Sequence, residues 1–531
     1  MIARSRGPFA LALLGLTAAL APASARAQGF ENVGQDIEAH DDPDDFAAEL
    51  DGYLRVRGDT LYDLDLDRGP TPSDQVLFPV PLDDPNGQTL YQADMRLRTD
   101  VHLYAPGGWV AAHVRLDFLD NLTLGSTPAG TPVSAVGQRA IDDAVHIRRA
   151  WAEVLTPFGV LAAGRMGNQF GLGITANSGD CIDCDGGDAA DRVLFATPLA
   201  DHVWALSFDI SSTGPTTPRR SGFRVVDVTP ADDVRTINFA VMHVHSDDAR
   251  ERRHTAGRTT VEYGAFLSYR WQDADVPASY LNVAQPISYT RAQVVPRGLS
   301  AFAGDVWFRV ASRDFRVEAE GALLYARIAQ ASLLPGVAFR RPLTALQIGA
   351  ALQTDFLLPE IVSFGVDAGY ASGDDAPGFG SFPQTNASAP VAGDIDGPQA
   401  NPPYDDTIDN FRFHPDFRID RILFREIIGT VTDAIYLRPH GRLRMFDEPF
   451  GTLELHVAAI GSMAVFASST PGGQSPLGIE IDPSLYYRSR EGFFAALDYA
   501  VLFPLAGLDN PALDLRAQPA QLVRLRLAYM F

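Results

Sequence analysis

The sequence predicts an all-β fold, a transmembrane antiparallel β-barrel of about eighteen strands (16–18), with short periplasmic turns and long extracellular loops. Three observations carry this. Apolar and polar residues alternate with period 2 over runs of about nine to fourteen, long enough to cross a bilayer at a tilt. Short turns and long Gly/Pro/Asp-rich loops follow one another along the chain. The last segment, residues 521–531, sets Val523, Leu525, Leu527, Tyr529 and Phe531 on one face and Arg524 and Arg526 on the other. Such a strand shows one face to lipid and one to water, with its aromatic pair at the interface.

The elements follow in chain order. Arg4 and Arg6 precede an apolar stretch at 9–20 and the small-x-small sites Ala23-Ser24-Ala25 and Ala25-Arg26-Ala27. Residues 1–27 therefore read as a secretory signal peptide, too short in its apolar part to span a membrane. No cysteine lies near the cleavage site, so no lipoprotein anchor is expected. Residues 28–50, acidic over 38–49, read as a periplasmic leader before a barrel at 51–531. Within the leader, Asp41-Asp-Pro-Asp-Asp45 is a candidate contact for a periplasmic partner. The longest later apolar run, 457–467, falls well short of the roughly 18–20 residues of a spanning helix.

Alternation is clear at Tyr91, Ala93, Met95, Leu97, Thr99, Val101 and Leu103 against Arg96, Arg98 and Asp100. It recurs at Val261–Tyr269 positions of odd number, at Val306, Phe308 and Val310 around Trp307 and Arg309, and at Phe315, Val317 and Ala319 around Arg316 and Glu318. Segments near 191–210 and 236–260 alternate less cleanly. Short turns are expected at 105–108, 156–159, 198–201, 312–314, 357–360, 447–451 and 490–492. Long loops are expected at 67–89, 120–143, 168–190, 211–234, 272–303 and 372–430. An even strand number with both ends in the periplasm fits a start near Gly52 and an end at Phe531.

Composition excludes other classes. The formal net charge is -23 and 46% of residues are hydrophobic, which argues against a nucleic-acid binder and against a disordered chain. The sequence has no lysine, so arginine supplies all 43 basic charges. Arginine offers planar, bidentate contacts suited to a pore wall; a GC-rich coding bias explains its use equally well.

A barrel of this size leaves an aqueous channel unless something fills it. Arg55, Arg57, Arg96, Arg98, Arg438, Arg442, Arg444, Arg488, Arg490, Arg524 and Arg526 are expected to line the pore near the closure seam. Asp305, Asp314, Glu318, Glu320, Asp355 and Asp367 are expected opposite them. Two such walls would set up a transverse field favouring polar solutes; pairing between neighbouring strands is the alternative. Within the long loop, Ile419, Ile422, Leu423 and Ile427 stand at helical spacing before Gly429, a C-cap residue. A short amphipathic helix folded inward would place Arg418, Arg421, Arg425 and Glu426 at a constriction.

Cys181 and Cys184 are the only cysteines, and an exported chain meets an oxidising compartment, so a local disulfide is expected. Around them, Asp180, Asp183, Asp185, Asp188 and Asp191 offer hard oxygen ligands of the kind calcium takes. The spacing departs from the helix-loop-helix calcium pattern, and a solvated acidic loop fits as well. Zinc on two thiolates and two carboxylates is a third reading. His243 and His245 share a strand face, as metal ligands would, but also as wall or girdle residues would.

The ending on Phe531 resembles the C-terminal signature of bacterial outer-membrane barrels, which implies recognition by the barrel assembly machinery and a surround of outer-membrane lipid and lipopolysaccharide. The segments Arg149-Ala-Trp-Ala-Glu-Val-Leu-Thr-Pro-Phe-Gly-Val-Leu-Ala-Ala-Gly-Arg-Met166, the loop at 181–191 and Ile422-Leu-Phe-Arg-Glu-Ile-Ile-Gly429 resemble a family of large, porin-like, myxobacterial-type (deltaproteobacterial) outer-membrane barrels. That resemblance implies fold and location and brings no substrate or catalytic residues. The chain carries no Gly-x-Ser-x-Gly elbow and no His-Glu-x-x-His helix. The expected function is therefore non-enzymatic, without an established cofactor. It is a porin-like channel for small polar or charged solutes, with a gated conduit for polysaccharide or lipid, or a closed structural barrel, as alternatives.

Overall fold

Period-2 alternation gives each long segment one apolar and one charged edge, and strand formation separates the two. The computed structural model describes residues 46–82, 88–124, 145–214, 216–218, 225–227, 229–276, 291–332, 334–358, 361–381 and 389–531. The signal peptide read at 1–27 and the leader up to residue 45 lie outside the described residues.

The strands are β1 (Ala47–Tyr62), β2 (Thr89–Tyr104), β3 (Val110–Thr123), β4 (Val145–Thr156), β5 (Gly159–Gly167), β6 (Ala189–Leu199) and β7 (His202–Ser211). A small separate hairpin of β8 (Thr216–Pro218) and β9 (Val225–Asp227) follows. Then come β10 (Val234–His243), β11 (Thr260–Gln272), β12 (Leu299–Ala311), β13 (Phe315–Ile328), β14 (Leu343–Leu358) and β15 (Val362–Ala371). The chain ends with β16 (Ala434–Glu448), β17 (Gly451–Ala464), β18 (Pro476–Ser489), β19 (Phe493–Pro504) and β20 (Ala520–Met530). Apart from β8 and β9, these form one 18-stranded antiparallel sheet. It closes where β1 pairs with β20, from Tyr53↔Met530 to Tyr62↔Gln521.

The barrel has its polar groups inside. Arg55, Arg96, Asp117, Glu262, Asp498 and Arg524 are almost fully buried, while Leu206, Phe239, Val306, Ile348, Phe364, Leu437, Ile479 and Leu525 are exposed on the outer face. An exposed apolar belt around a charged interior suits a bilayer, and closure leaves no strand edge unpaired in it. At the short-turn end the belt finishes in aromatic pairs: Phe356–Phe364, Phe446–Phe450, Tyr487–Phe493 and Tyr529–Phe531. The main chain of Phe531 exchanges hydrogen bonds of 3.0 and 3.1 Å with Gly52.

The structure departs from the sequence reading at several points. Strand β1 starts at Ala47, opposite Tyr104, so 47–50 belong to the barrel rather than the leader. Asp314 and Arg490, expected on the wall, sit in short turns, where Arg490 lies 2.7 Å from Asp447. The turn after β10 holds a helix, α1 (Asp247–Thr255). Ser246 caps it by accepting from the Ala249 amide, Asp247 and Asp248 open it, and Arg252, Arg253 and His254 close it, each complementing the helix dipole. No residue of α1 is buried, so it lacks the apolar stripe by which a helix is read from sequence.

Two long-loop segments fold into the lumen. Ile174 from 168–188 packs with Phe379, Phe411, Phe413, Phe417, Ile422, Leu423 and Phe424 from 372–433 in one buried cluster. Many of the wall residues in this cluster are small (Ala322, Ala351, Ala371, Ala434, Ala458, Ala464 and Ala500), beside larger ones such as Tyr436, Ile460 and Leu502. Gly349 shows the closeness of fit, since a Cβ there would lie 2.3 Å from the Phe411 ring.

Candidate functional site

The site begins with the Cys loop. Cys181 and Cys184 form the expected disulfide, with Cα atoms 5.1 Å apart, and the Cys184 amide donates to the Cys181 carbonyl at 3.1 Å. The disulfide removes both thiolates a zinc site would need. At the base of the loop, Gly179 (φ +67°) and Gly187 (φ +115°) lie backbone to backbone, where any Cβ would come within 2.4 Å of a carbonyl oxygen. This tight turn aims carbonyl groups at the wall. Arg55 donates to the Ile182 carbonyl at 2.8 Å and the Cys184 carbonyl at 3.3 Å. Arg96 donates to the carbonyls of Cys184 and Asp185, both at 2.8 Å, and Arg98 to that of Gly179 at 3.0 Å.

The opposite wall grips the other half of the same loop. Glu320 accepts from the Gly173 amide at 2.9 Å and the Ile174 amide at 3.2 Å, and Asp305 accepts from the Thr175 hydroxyl at 2.7 Å. The loop thus runs across the lumen, acidic wall at one end and basic wall at the other.

The long loop adds the second half of the constriction. Glu480 on β18 accepts from three successive amides, Arg421, Ile422 and Leu423, at 2.8–2.9 Å. The Asp420 carboxylate takes the Phe424 amide at 2.8 Å. With its first amides held this way, the expected amphipathic helix is a six-residue π-helical turn, Leu423–Ile428, ended by Gly429 at φ 102°. Its apolar residues are buried as the spacing predicted. Arg418, Arg421, Arg425 and Glu426 all lie in the lumen.

These arginines converge on Asp183. Its carboxylate lies 2.5 Å from Arg425, 3.3 Å from Arg57, 3.4 Å from Arg421, 3.5 Å from Arg526 and 3.8 Å from Arg418. Burial pushes this carboxyl up, but Arg425, Arg526 and Arg524 outweigh it and hold the group well below the usual carboxylate range. Asp185 bridges Arg57 at 2.8 Å and Arg418 at 2.6 Å. Asp416 accepts from the amides of Asp185 and Gly186 at 2.9 and 3.1 Å. Glu426 joins the lattice through Arg524 at 2.8 Å.

Pairing also decides the wall charges. Arg55 lies 2.9 Å from Asp94, Arg96 2.9 Å from Asp120, Arg98 2.7 Å from Asp117, Arg438 2.7 Å from Asp367, Arg524 2.6 Å from Asp59 and Arg526 2.7 Å from Asp498. Arg444 faces Glu454 at 3.5 Å and Arg442 at 4.0 Å. Glu318 accepts from Trp307 and Arg316 at 2.8 Å, and Asp355 from Arg316. Arg488 lies over the Phe494 ring. Two free walls with a field between them are therefore replaced by a mosaic of neighbouring pairs that anchors the loops.

The five aspartates of the Cys loop turn to different partners. Asp180 engages Arg115 and Arg149, Asp188 lies 3.5 Å from His414, and Asp191 pairs with Arg165 on the outer face. Among the described residues they form no group of converging metal ligands. His243 and His245 stay together, their rings edge to face with centroids 5.3 Å apart, but each has a partner of its own. His243 stacks on Tyr263 beside His202, while His245 lies 3.6 Å from Glu262.

Two polar cavities flank the constriction. One of about 380 Å³, toward the short turns, is lined by Arg316, Asp355, Arg418, Arg421, Arg438, His440, Arg442 and Tyr486. The other, about 840 Å³ at the long-loop rim, is lined by Arg98, Arg115, Arg149, Gly186, Gly187 and Arg270 from within and by Ile147, Arg165 and Asp191 from the outer face. Arg115 and Arg149 were missed in the sequence, although Ala111, His113, Arg115 and Asp117 alternate on β3 as inward residues do.

No protein-family model and no curated protein sequence matches this chain. Solved structures do. OpdK of Pseudomonas aeruginosa with vanillate shares 10% identity at TM-score 0.44 over 91% of this chain and 98% of that one. A BenF-like porin from Pseudomonas fluorescens Pf-5 shares 9% at 0.43 over 91% and 98%. The outer membrane channel DcaP of Acinetobacter baumannii shares 14% at 0.34 over 92% and 98%. At these TM-scores the likenesses carry no argument, and the fold stands on this chain's own strand pairing. None of these matches supports the kinship with myxobacterial-type barrels.

Proposed function

We propose that this chain is an outer-membrane channel, rather than an enzyme, that passes small polar or charged solutes passively through a loop-narrowed lumen. The observation that carries the proposal is the arginine-rich cavity beside Arg418 and Arg421 in the lumen, with a second at the long-loop rim, in a barrel with an apolar belt. Fixed charges and fixed dipoles in a narrow passage replace part of a solute's hydration, so polar solutes cross and apolar ones gain nothing. Swelling of liposomes holding the purified barrel tests this. Small sugars, amino acids and carboxylates should enter at rates falling steeply with size; impermeability to all of them would reject passive passage.

A gated conduit is the second reading, favoured by the apolar loop core that fills the long-loop half of the lumen. In that case swelling appears only after the core is loosened, for instance by Phe413→Ala. In the membrane, lipid and lipopolysaccharide would surround the belt, and the assembly machinery would read β20 through Phe531. Phe531→Ala should lower the amount of folded barrel in the outer membrane; unchanged levels would remove Phe531 from that role.

A further inference from the structure

Asp227, Asp232 and Asp233 crowd together in the loop between β7 and β10, and among the described residues no arginine forms an ion pair with any of them. One potential ligand oxygen from each lies within 4.8 Å of the others. Elsewhere in this chain buried carboxylates meet guanidinium groups, as Asp117 meets Arg98, or other hydrogen-bond donors, as Glu480 meets three amides. Asp232 is different. It is 0% exposed, and among the described residues neither of its carboxylate oxygens has a hydrogen-bond partner. An unpaired buried carboxylate is costly unless it is protonated or neutralised by a cation.

The surroundings hold Asp232 in place without using its carboxylate. Its amide donates to the Thr229 carbonyl at 3.0 Å. Its own carbonyl accepts from Gln272 at 2.7 Å and from the Thr213 hydroxyl. Asp227 accepts from the Thr229 amide at 2.8 Å, and Asp233 from the Thr213 amide at 3.4 Å. Among the described residues, Arg297 is engaged with Asp275 and Arg235 with the Pro230 carbonyl. Gly214 borders the carboxylate, and a Cβ there would lie 1.7 Å from Oδ2. The Asp232 carboxylate thus packs against a residue that must lack a side chain.

We propose that Asp227, Asp232 and Asp233 form a calcium site that ties this loop to the barrel rim at Gln272. Calcium takes oxygen ligands at about 2.3–2.6 Å in adaptable geometry, so oxygens on opposite sides of the ion stand about 5 Å apart. Oxygens that lie within 4.8 Å of one another are close enough to share one such ion. Magnesium demands a near-ideal octahedron and gives up its waters reluctantly, so three carboxylates on one irregular loop suit calcium better.

The test uses the full-length barrel, refolded in detergent and freed of metal by a chelator. Calcium chloride is titrated calorimetrically, and melting is followed with and without calcium. Wild type should bind calcium and melt higher with it. Asp232→Asn should lose one equivalent of binding and the calcium-dependent rise in melting temperature. In chelator it should melt no lower than wild type, because it has lost an orphan charge. Asp233→Asn provides the same comparison should Asp232→Asn fail to fold. Equal calcium binding by wild type and both variants, or no saturable calcium binding by wild type, would overturn the proposal.

Discussion

Replacing Asp183 with Asn keeps the side chain's shape and removes the charge at the meeting point of Arg57, Arg418, Arg421, Arg425 and Arg526. Removing one partner of a buried ion pair costs about 3–5 kcal/mol, because the other charge stays buried without it. Asp183 is 9% exposed beside two polar cavities, so the lower figure applies. About 3 kcal/mol shifts the equilibrium between docked and released loops on the order of 100-fold. The strand ladders do not involve Asp183, so the barrel should melt as wild type does. In planar bilayers Asp183→Asn should show far more frequent openings to a larger conductance. Trypsin should cut more quickly after Arg418, Arg421 and Arg425. Wild-type gating with wild-type digestion would refute the lattice as the element that holds the loops. A lowered barrel melting point with unchanged gating would place Asp183 in the scaffold instead.

Three further outcomes follow from the same geometry. Opening the disulfide with Cys181→Ser and Cys184→Ser frees a ring of about four residues, worth about 2 kcal/mol on the chain-entropy account, so its gating change should be smaller than that of Asp183→Asn; a larger one would mean that the covalent link, not the ion lattice, holds the loop. Gly349→Ala drives a methyl toward the Phe411 ring and should cost about 1–3 kcal/mol of loop docking by overpacking, read as faster proteolysis and relieved by adding Phe411→Ala. Asp433 lies at the start of β16, accepting from the Phe466 amide at 3.0 Å and from Ser469. Burial pushes its carboxyl up to about 7, and these hydrogen bonds only partly oppose that. The folded chain therefore keeps a proton that an unfolded aspartate, with pKa about 3.9, has lost. Docking around residues 465–475 should weaken as pH rises from about 4 through 7. Proteolysis of that region should be faster at pH 8 than at pH 5 in wild type and independent of pH in Asp433→Asn; the same pH dependence in both would rule Asp433 out.

The barrel was legible because lipid and water impose opposite demands on alternate residues, and that rule is local. Tyr91, Met95 and Leu97 against Arg96 and Arg98 needed no knowledge of partners, nor did the strand ending at Phe531. The inward loop residues were partly legible, since Ile419, Ile422, Leu423 and Ile427 announce a buried face. What they bury against was not, because the wall alanines and Glu480 come from strands distant in sequence. The same distance hid the use of the charges. Arg57 and Asp183 are 126 positions apart, so the sequence suggested a wall and a metal loop where the structure makes one lattice. Helix α1 escaped notice because a polar helix held by caps and end charges has no hydrophobic period.

The most direct test of a loop-narrowed lumen is single-channel conductance of the wild-type barrel beside a variant in which residues 412–430 are replaced by a short Gly/Ser linker. Both should fold, shown by a shared heat-modifiable shift in gel mobility. Wild type should give small discrete steps, and the variant steps several times larger with weaker discrimination between ions. Equal conductance in two folded barrels would contradict the account, because the segment bearing Arg418, Arg421, Arg425 and Glu426 would then not narrow the path.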